Sequence, residues 1–564
     1  MPKPTKIGAT ATAIALLFAL AALTGVTPLA QSRPKFYPDD PLAREPETQD
    51  ASKTQEWEIL LFTDVVLNLF ADPGGEVTDV QAQNINSIDE VPDSSWFTNR
   101  IYAKSISLEE MARGPNTIEG PAPGRWTIIR PKTAGTAPGF TVRDEKGEVW
   151  FLSFDPHGYP VGSTAAIAVA TRLFWALGYN QVESYLATVR PENVVLGDGV
   201  TISVHGRRRR FTQADVKDVF ERAAANSDGS YRVMAGRLLP GRVIGGFRYY
   251  GTRPDDPNDV IPHEHRRELR ALKVFGAWAN LVDMNDVNTL DTVITEGRRG
   301  IVRHYLQDVG STFGVKSVGL REFDEGYEYL YDGGPLWKRL VTLGFYIRPW
   351  QTVDYENRPE AGHFTADAFE PDQWRTRVPV AALKRARDDD TFWAALRVMA
   401  FTDDQIRAAA KTGGFTDPAA EKLLADVLIK RRDKIGQVYF TRLNPLVKFA
   451  LDTSGALTFE NPAVRVRFAE VPKGGYQATW YRFDNATRET QPIGSPTTSR
   501  DERLQAPTDL PRAEGAFVKV SVIAVDSAHA SWSKPVNAFF RRTGDGWKLV
   551  GIERLPDAIP AQKK

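Results

Sequence analysis

The spacing of apolar residues changes character twice along this chain, and that double change restricts the fold more than any other feature. Over 126–129, 140–142 and 149–154 the residues run in short alternating or β-branched stretches, separated by a Gly/Pro loop over 131–139 and a turn over 144–147. These predict a small antiparallel sheet. A helix is expected over 163–177, closed by Gly178, and a further strand over 185–190. From Pro262 the repeat lengthens: Leu269, Leu272, Phe275 and Ala279 recur every three or four residues, the period of a helix with one buried face. Helical character is expected to continue over 335–445, most clearly at 404–410 and 419–432. Beyond 452 the period shortens again, with strands predicted over 463–468, 477–483, 516–525, 538–542 and 547–552.

The fold class that follows is α+β. A wrapping N-terminal segment over 31–125, rich in Pro, Gly, Asp and Asn but with a helix near 57–70, precedes a β-rich lobe over 126–200. A mainly helical lobe over 201–450 comes next, and a C-terminal β-rich, sandwich-like domain over 451–564 ends the chain. A chain of 564 residues, 42% hydrophobic and 25% charged, can build such a core and is neither disordered nor collagenous. Seventy-one Lys and Arg balance seventy-one Asp and Glu, which removes a global electrostatic case for nucleic acid or an anionic membrane as the main partner and leaves only local patches. Cysteine is absent, excluding disulfides, thiolate metal sites, Cys nucleophiles and a lipid-modified Cys anchor.

Residues 1–30 predict export. Lys3 and Lys6 precede an apolar run over 7–23, followed by Pro28-Leu29-Ala30, the order of a Sec-type signal peptide. An uncleaved anchor is the alternative, because Pro28 suits a cleavage site poorly. Either way the body is expected in the periplasm or secreted. No other run of about eighteen apolar residues occurs, so no membrane span is expected after signal removal.

The chemistry-bearing residues follow the amphipathic helix. Asp283 stands five positions before Asn288, and Asp308-Val309-Gly310 follows twenty residues after Asn288, beyond a strand-like stretch over 301–306. Phosphoryl transfer needs a carboxylate to orient the attacking hydroxyl, and an Asn with a second carboxylate to hold the metal that neutralises the phosphates. Asp283, Asn288 and Asp308 supply that set in that order, with Gly310 expected to free the backbone after the metal ligand.

Helix, D-x-x-x-x-N, strand and D-x-G, preceded by a small sheet with a Gly loop and a crossing helix, resemble the atypical protein-kinase-like superfamily of the HipA-type and CotH-type kinases. More closely, the chain resembles a family of uncharacterised exported bacterial proteins, through Asp89 to Arg100 (DEVPDSSWFTNR), His263 to Arg270 (HEHRRELR) and His304 to Gly314 (HYLQDVGSTFG). The resemblance implies a two-lobed protein-kinase-like fold over about 125–450, with Asp283 as catalytic base and Asn288 and Asp308 as metal ligands. Lys132, Gly135 and Gly139 would contact the nucleotide, with ATP and Mg²⁺ or Mn²⁺ as cofactors. A phosphotransferase of this kind would act on an envelope protein or glycan.

The chain departs from this pattern at one pair. Where relatives carry a Lys in the third strand and a Glu on the next helix, it has Ser153 and Ile167. That pair positions the phosphates, so its loss implies the alternative of a non-catalytic, pseudokinase-type binding or scaffold protein. Lys132, Arg130 and Arg172 are the cations available to replace it. His263-Glu264-His265 reads as a helix start more than a metal pair, the Arg207 to Arg210 run as a solvated hairpin, and Asp255 to Asp259 as a turn. G-x-S-x-G, H-E-x-x-H, P-loop and G-x-G-x-x-G motifs are absent from the sequence.

Overall fold

A computed structural model describes residues 33–74, 79–132, 135–204 and 206–555; the expected signal over 1–30 and His205 lie outside them. Residues 33–57 form an extended strap. Phe36 inserts between Phe483, Phe517 and Phe539 near the far end of the sequence, and Trp57 bridges to Gly245. The strap leads into helix α1 (Leu61–Phe70) and a short helix α2 (Leu108–Arg113), which begins in a capping box of Ser107 and Glu110.

The first sheet takes strands β1 (Trp126–Pro131), β2 (Gly139–Arg143) and β3 (Val149–Phe154), then, after helix α3 (Gly162–Leu177), β4 (Ser184–Val189) and β5 (Val194–Leu196). An exposed arginine-bearing hairpin of β6 (Thr201–Val204) and β7 (Arg207–Arg210) leads to α4 (Gln213–Glu221) and to β8 (Tyr231–Arg237). The order is β4-β8-β3-β2-β1-β5, with only the β1–β5 pair parallel. Alternation places Ile128, Phe140, Val142, Trp150, Leu152 and Phe154 in one core with Val216 and Phe220 of α4. Helix α3 is buried nearly all round, as an Ala-rich helix between a sheet and a helical body must be. Its N-terminus is held by Asp155, which accepts from the Thr164 N–H at 2.9 Å and hydroxyl at 2.7 Å.

After β9 (Arg242–Val243) comes α5 (Arg267–Ala279), buried along almost its whole length and ended by Asn280 in the left-handed conformation. Strands β10 (Thr289–Glu296) and β11 (Arg299–Leu306) then form a regular hairpin, and β12 (Val315–Lys316) and β13 (Gly319–Leu320) a shorter one. The helical stretch expected over 335–445 is interrupted. Helix α6 (Gly333–Val341) is followed by only two 3₁₀ turns before α7 (Ala381–Lys384), α8 (Asp388–Met399), α9 (Asp403–Lys411) and the long α10 (Pro418–Arg442). Pro349, Pro359, Pro371 and Pro379 stand in the gap, where continuous helix cannot form.

Two antiparallel arrays close the chain. Strands β14 (Val447–Leu451) and β15 (Ala456–Glu460) pair in one sheet, joined later by β19 (Arg503–Gln505). The segment expected as a strand over 463–468 is instead the short helix α11 (Pro462–Arg465), because Asn461 caps it and Pro462 occupies its first position. The other array contains β16 (Tyr476–Phe483), β17 (Thr490–Pro492), β18 (Thr497–Ser499), β20 (Phe517–Ala524), β21 (Val536–Thr543) and β22 (Gly546–Glu553). Leu457, Trp480 and Val520 of these sheets share one continuous core with α5, α8 and Trp96 of the wrapping segment.

The segments Asp89 to Arg100, 263–270 and 304–314 converge in a buried ionic cluster beside that core. Arg267 pairs with Asp89 at 2.6 Å, Asp390 at 2.9 Å and Asp389 at 3.3 Å, while Arg270 reaches Asp390 at 3.0 Å. Trp96 lies between the Arg266 guanidinium and His304, whose ring stacks on it at 3.5 Å. His263 bonds Asp259 and the Arg248 carbonyl, and His265 bonds Arg270, so the His-Glu-His imidazoles serve separate partners.

Candidate functional site

The turn after α5 carries the first candidate. Leu281 and Val282 are buried, which turns Asp283 outward at the end of an anchored segment. One Asp283 carboxylate oxygen accepts from Asn285; the other has Ser311 Oγ at 3.5 Å and the Arg321 guanidinium at 3.8 Å. Burial pushes the Asp283 carboxyl above its usual range; Arg321 opposes that shift and the charge of Asp308 adds to it.

Asn288 and Asp308 are brought together by the β10–β11 hairpin. Its register runs from Thr289 opposite Leu306 to Glu296 opposite Arg299, so the nineteen residues between Asn288 and Asp308 fold back on themselves. The Asp308 N–H donates to the Asn288 carbonyl at 3.0 Å. Asn288 Nδ2 donates to the Asp283 carbonyl at 2.8 Å, which fixes the amide and leaves its oxygen for another partner. Asp308 is exposed, with one carboxylate oxygen accepting from the Gly310 N–H at 3.0 Å. Asp283, Asn288 and Asp308 thus share one hydrogen-bonded neighbourhood.

Val309 is buried in the main core, which anchors the D-x-G segment. Gly310 is required for a reason other than backbone freedom. Its φ is not positive, but a Cβ there would lie 2.7 Å from Ile167 Cγ1 of α3. The helix position expected to hold a Glu therefore makes a close apolar contact with the D-x-G glycine.

Lys132 comes close to Ser153, the strand position where a lysine is missing. It follows β1, and its Nζ donates to Ser153 Oγ at 3.1 Å, next to where a third-strand lysine would begin. The path crosses Gly139, which pairs with Ser153; a Cβ on Gly139 would lie 3.0 Å from Lys132 Cδ and 2.0 Å from the Leu152 carbonyl. Gly135, with φ +74°, flanks the same side chain, a Cβ there coming 3.9 Å from Lys132 Cε. Burial lowers the Lys132 ammonium and the carboxylate of Asp308 holds it up, so the two groups interact electrostatically. Of the other cations, Arg172 donates to the carbonyls of Ala112, Ala168 and Ser184, and Arg130 is exposed on β1.

Three contributors escaped the sequence reading. Arg321, Ser311 and Asn285 surround Asp283, and no local signal marks Arg321, 38 residues away by number, as its neighbour. Arg321 also pairs with Glu325 at 2.9 Å, on the wall of a cavity of about 80 Å³ lined by Asn280, Tyr327, Trp374 and Arg431. Among the described residues no group of three or more His, Asp or Glu is arranged to hold a metal. Asp283, Asn288 and Asp308 bring two carboxylates and an amide into one neighbourhood.

No family model matches the chain, and no curated protein matches it in sequence. Among solved structures it is similar to the proinflammatory kinase CtkA of Helicobacter pylori, with 13% identity and a TM-score of 0.30, over 55% of this chain and 93% of that one. It is also similar to the Golgi casein kinase, whose structure has Mn and ADP bound, with 10% identity and a TM-score of 0.31, over 71% of this chain and 94% of that one. Likeness this distant leaves the function to the side chains themselves.

Proposed function

We propose that this chain is an exported protein of two-lobed, kinase-like fold that binds ATP with Mg²⁺ or Mn²⁺ and transfers its terminal phosphoryl group to an envelope protein or glycan. The observation that carries the reading is the approach of Lys132 to Ser153, within electrostatic reach of Asp308. It restores from β1 the cation that β3 lacks.

The donor set suits a hard divalent cation, since Asn288 has an uncommitted amide oxygen and Asp308 an exposed carboxylate. Those two residues would hold the metal, which supplies charge neutralisation at the phosphates when bound. Lys132 would hold phosphate oxygens, with Gly139 leaving room for its stem and Gly135 flanking it. Asp283 would accept the proton of an acceptor hydroxyl. Its raised affinity for protons suits a general base, and Arg321 limits the rise. An export destination accords with the basic and apolar N-terminal sequence.

One observation favours a second reading, a non-catalytic binding or scaffold protein: Ile167 packs on Gly310 where a carboxylate would otherwise anchor the lysine. Thermal shift and phosphoryl-label transfer with ATP and Mn²⁺ separate the two. The enzyme reading expects a shift and label incorporation, an unchanged shift with transfer at least ~10²-fold slower in Asp283→Asn, and loss of both in Asp308→Ala. A shift without label in the parent supports the scaffold reading; no shift at millimolar nucleotide ends both nucleotide readings.

A further inference from the structure

Helix α1 is built inside out. Its sequence is largely apolar, yet the residues it buries are Asp64 and Asn68, one turn apart. Asn68 Nδ2 donates to the Asp64 carboxylate at 2.6 Å, and the other Asp64 oxygen accepts the backbone N–H of Asp286 at 3.1 Å, in the turn that carries Asn288. Leu60, Leu61, Phe62, Val66 and Phe70 face outward, Phe62 with 80% of its surface exposed. That reverses the arrangement apolar burial drives on a water-facing helix.

A second segment extends the same surface. Helix α6 buries none of its residues, leaving Leu336, Trp337, Leu340 and Val341 exposed. The chain turns back through Leu343 and Phe345, which are 86% and 87% exposed, and Ile347. The rings of Phe70 and Tyr331, 5.8 Å apart, join the two segments. Soluble monomers rarely keep a contiguous apolar patch beyond a few hundred Å².

Charge decides what covers this face. Residues 330–347 contain the exposed Lys338 and Arg339 and one acid, the half-buried Asp332, whose carboxylate caps α6 by accepting from the Gly334 N–H. A second copy that packed this segment on its own equivalent about a two-fold axis would bring these cations close to one another. Aliphatic tips, a Trp, a Tyr and flanking Lys and Arg are instead the composition that enters a lipid headgroup region, with the cations meeting anionic phosphates. We propose that α1 and residues 330–347 form a docking face for the surface of an anionic phospholipid bilayer. The attachment is peripheral: among the described residues no helix is long and apolar enough to cross a membrane. The Asp64 to Asp286 contact places the docking helix one hydrogen bond from the turn bearing Asn288.

The absence of cysteine permits a local test in the full chain. An environment-sensitive fluorophore is attached through Leu343→Cys, and in a separate protein through Thr487→Cys, on the exposed turn after β16. With vesicles of phosphatidylglycerol and phosphatidylcholine, the reporter at position 343 is expected to shift to the blue and the one at 487 to stay unchanged. Pure phosphatidylcholine is expected to give no shift at 343. The added pair Lys338→Glu and Arg339→Glu, both exposed and outside the core, should weaken the shift at least tenfold. The reading is local, so binding of vesicles through residues 7–23 does not imitate it. A reporter at 343 that stays aqueous while the protein sediments with anionic vesicles overturns the proposal. So does an equal shift with neutral vesicles, or a shift in buffer alone that grows with protein concentration, which would assign the face to a second copy.

Discussion

The Lys132 ammonium lies 3.1 Å from Ser153 Oγ, on a path across β2 that stays open because residue 139 is glycine. A cation and the strand position that would otherwise bear it are thus separated by 21 residues of sequence and by one hydrogen bond in space. Burial makes this placement costly for the charged lysine, and the opposing charge of Asp308 only offsets it.

Lys132→Met should therefore remove the nucleotide-dependent thermal shift without lowering the melting temperature of the unliganded protein. Adding Ser153→Lys to that variant returns an ammonium from β3 and is expected to restore part of the shift. If Lys132→Met binds nucleotide like the parent, the role assigned to Lys132 is wrong.

Gly310→Ala is expected to destabilise by about 1–3 kcal/mol, the usual cost of overpacking. The added methyl meets Ile167 at 2.7 Å. Ile167→Ala should relieve that cost in the double variant, so a double-mutant cycle by denaturant unfolding reads the contact directly. Additive losses would show that the two side chains do not meet.

Arg267 holds Asp89, Asp389 and Asp390 in a water-excluded cluster. Removing it by Arg267→Met leaves three carboxylates near one another, and a loss of about 3–5 kcal/mol is expected. Equilibrium unfolding measures it. A loss below about 1 kcal/mol would place this cluster with ordinary surface pairs.

Asp389 supplies a pH signature. Burial raises its carboxyl to about 6, with Arg267 opposing and the neighbouring Asp390 adding. A carboxyl whose folded value lies above its unfolded value contributes stability at low pH, and that contribution is lost as pH rises through about 6. The stability difference between the parent and Asp389→Asn is thus expected to move in the variant's favour between pH 4.5 and 7. Urea unfolding at both pH values checks the sign, and a flat difference would contradict it.

Local chemistry was legible where it was self-contained. The strands around 126–154, the α3 helix with Gly178 at its end, and the helix bearing Leu269, Leu272 and Phe275 lie within a residue or a few of their expected bounds. The stretch over 463–468 misled because its β-branched residues follow an Asn-Pro pair that starts a helix. The gap in helix over 342–380 was obscured by apolar residues, Leu343, Phe345 and Ile347, that face outward instead of into a core.

Order and spacing along the polymer determined which polar groups follow the successive structural elements: a carboxylate, an amide and a second carboxylate. Only the folded arrangement decided that Lys132 reaches Ser153, that Arg321 attends Asp283, and that Ile167 covers Gly310. The physical reason is reach. Periodicity reports which face of an element is buried, through interactions a few residues apart, whereas these contacts are set by how separate elements pack. The inside-out helix α1 is the clearest instance, since what its Asp64 meets is Asp286, 222 residues further on.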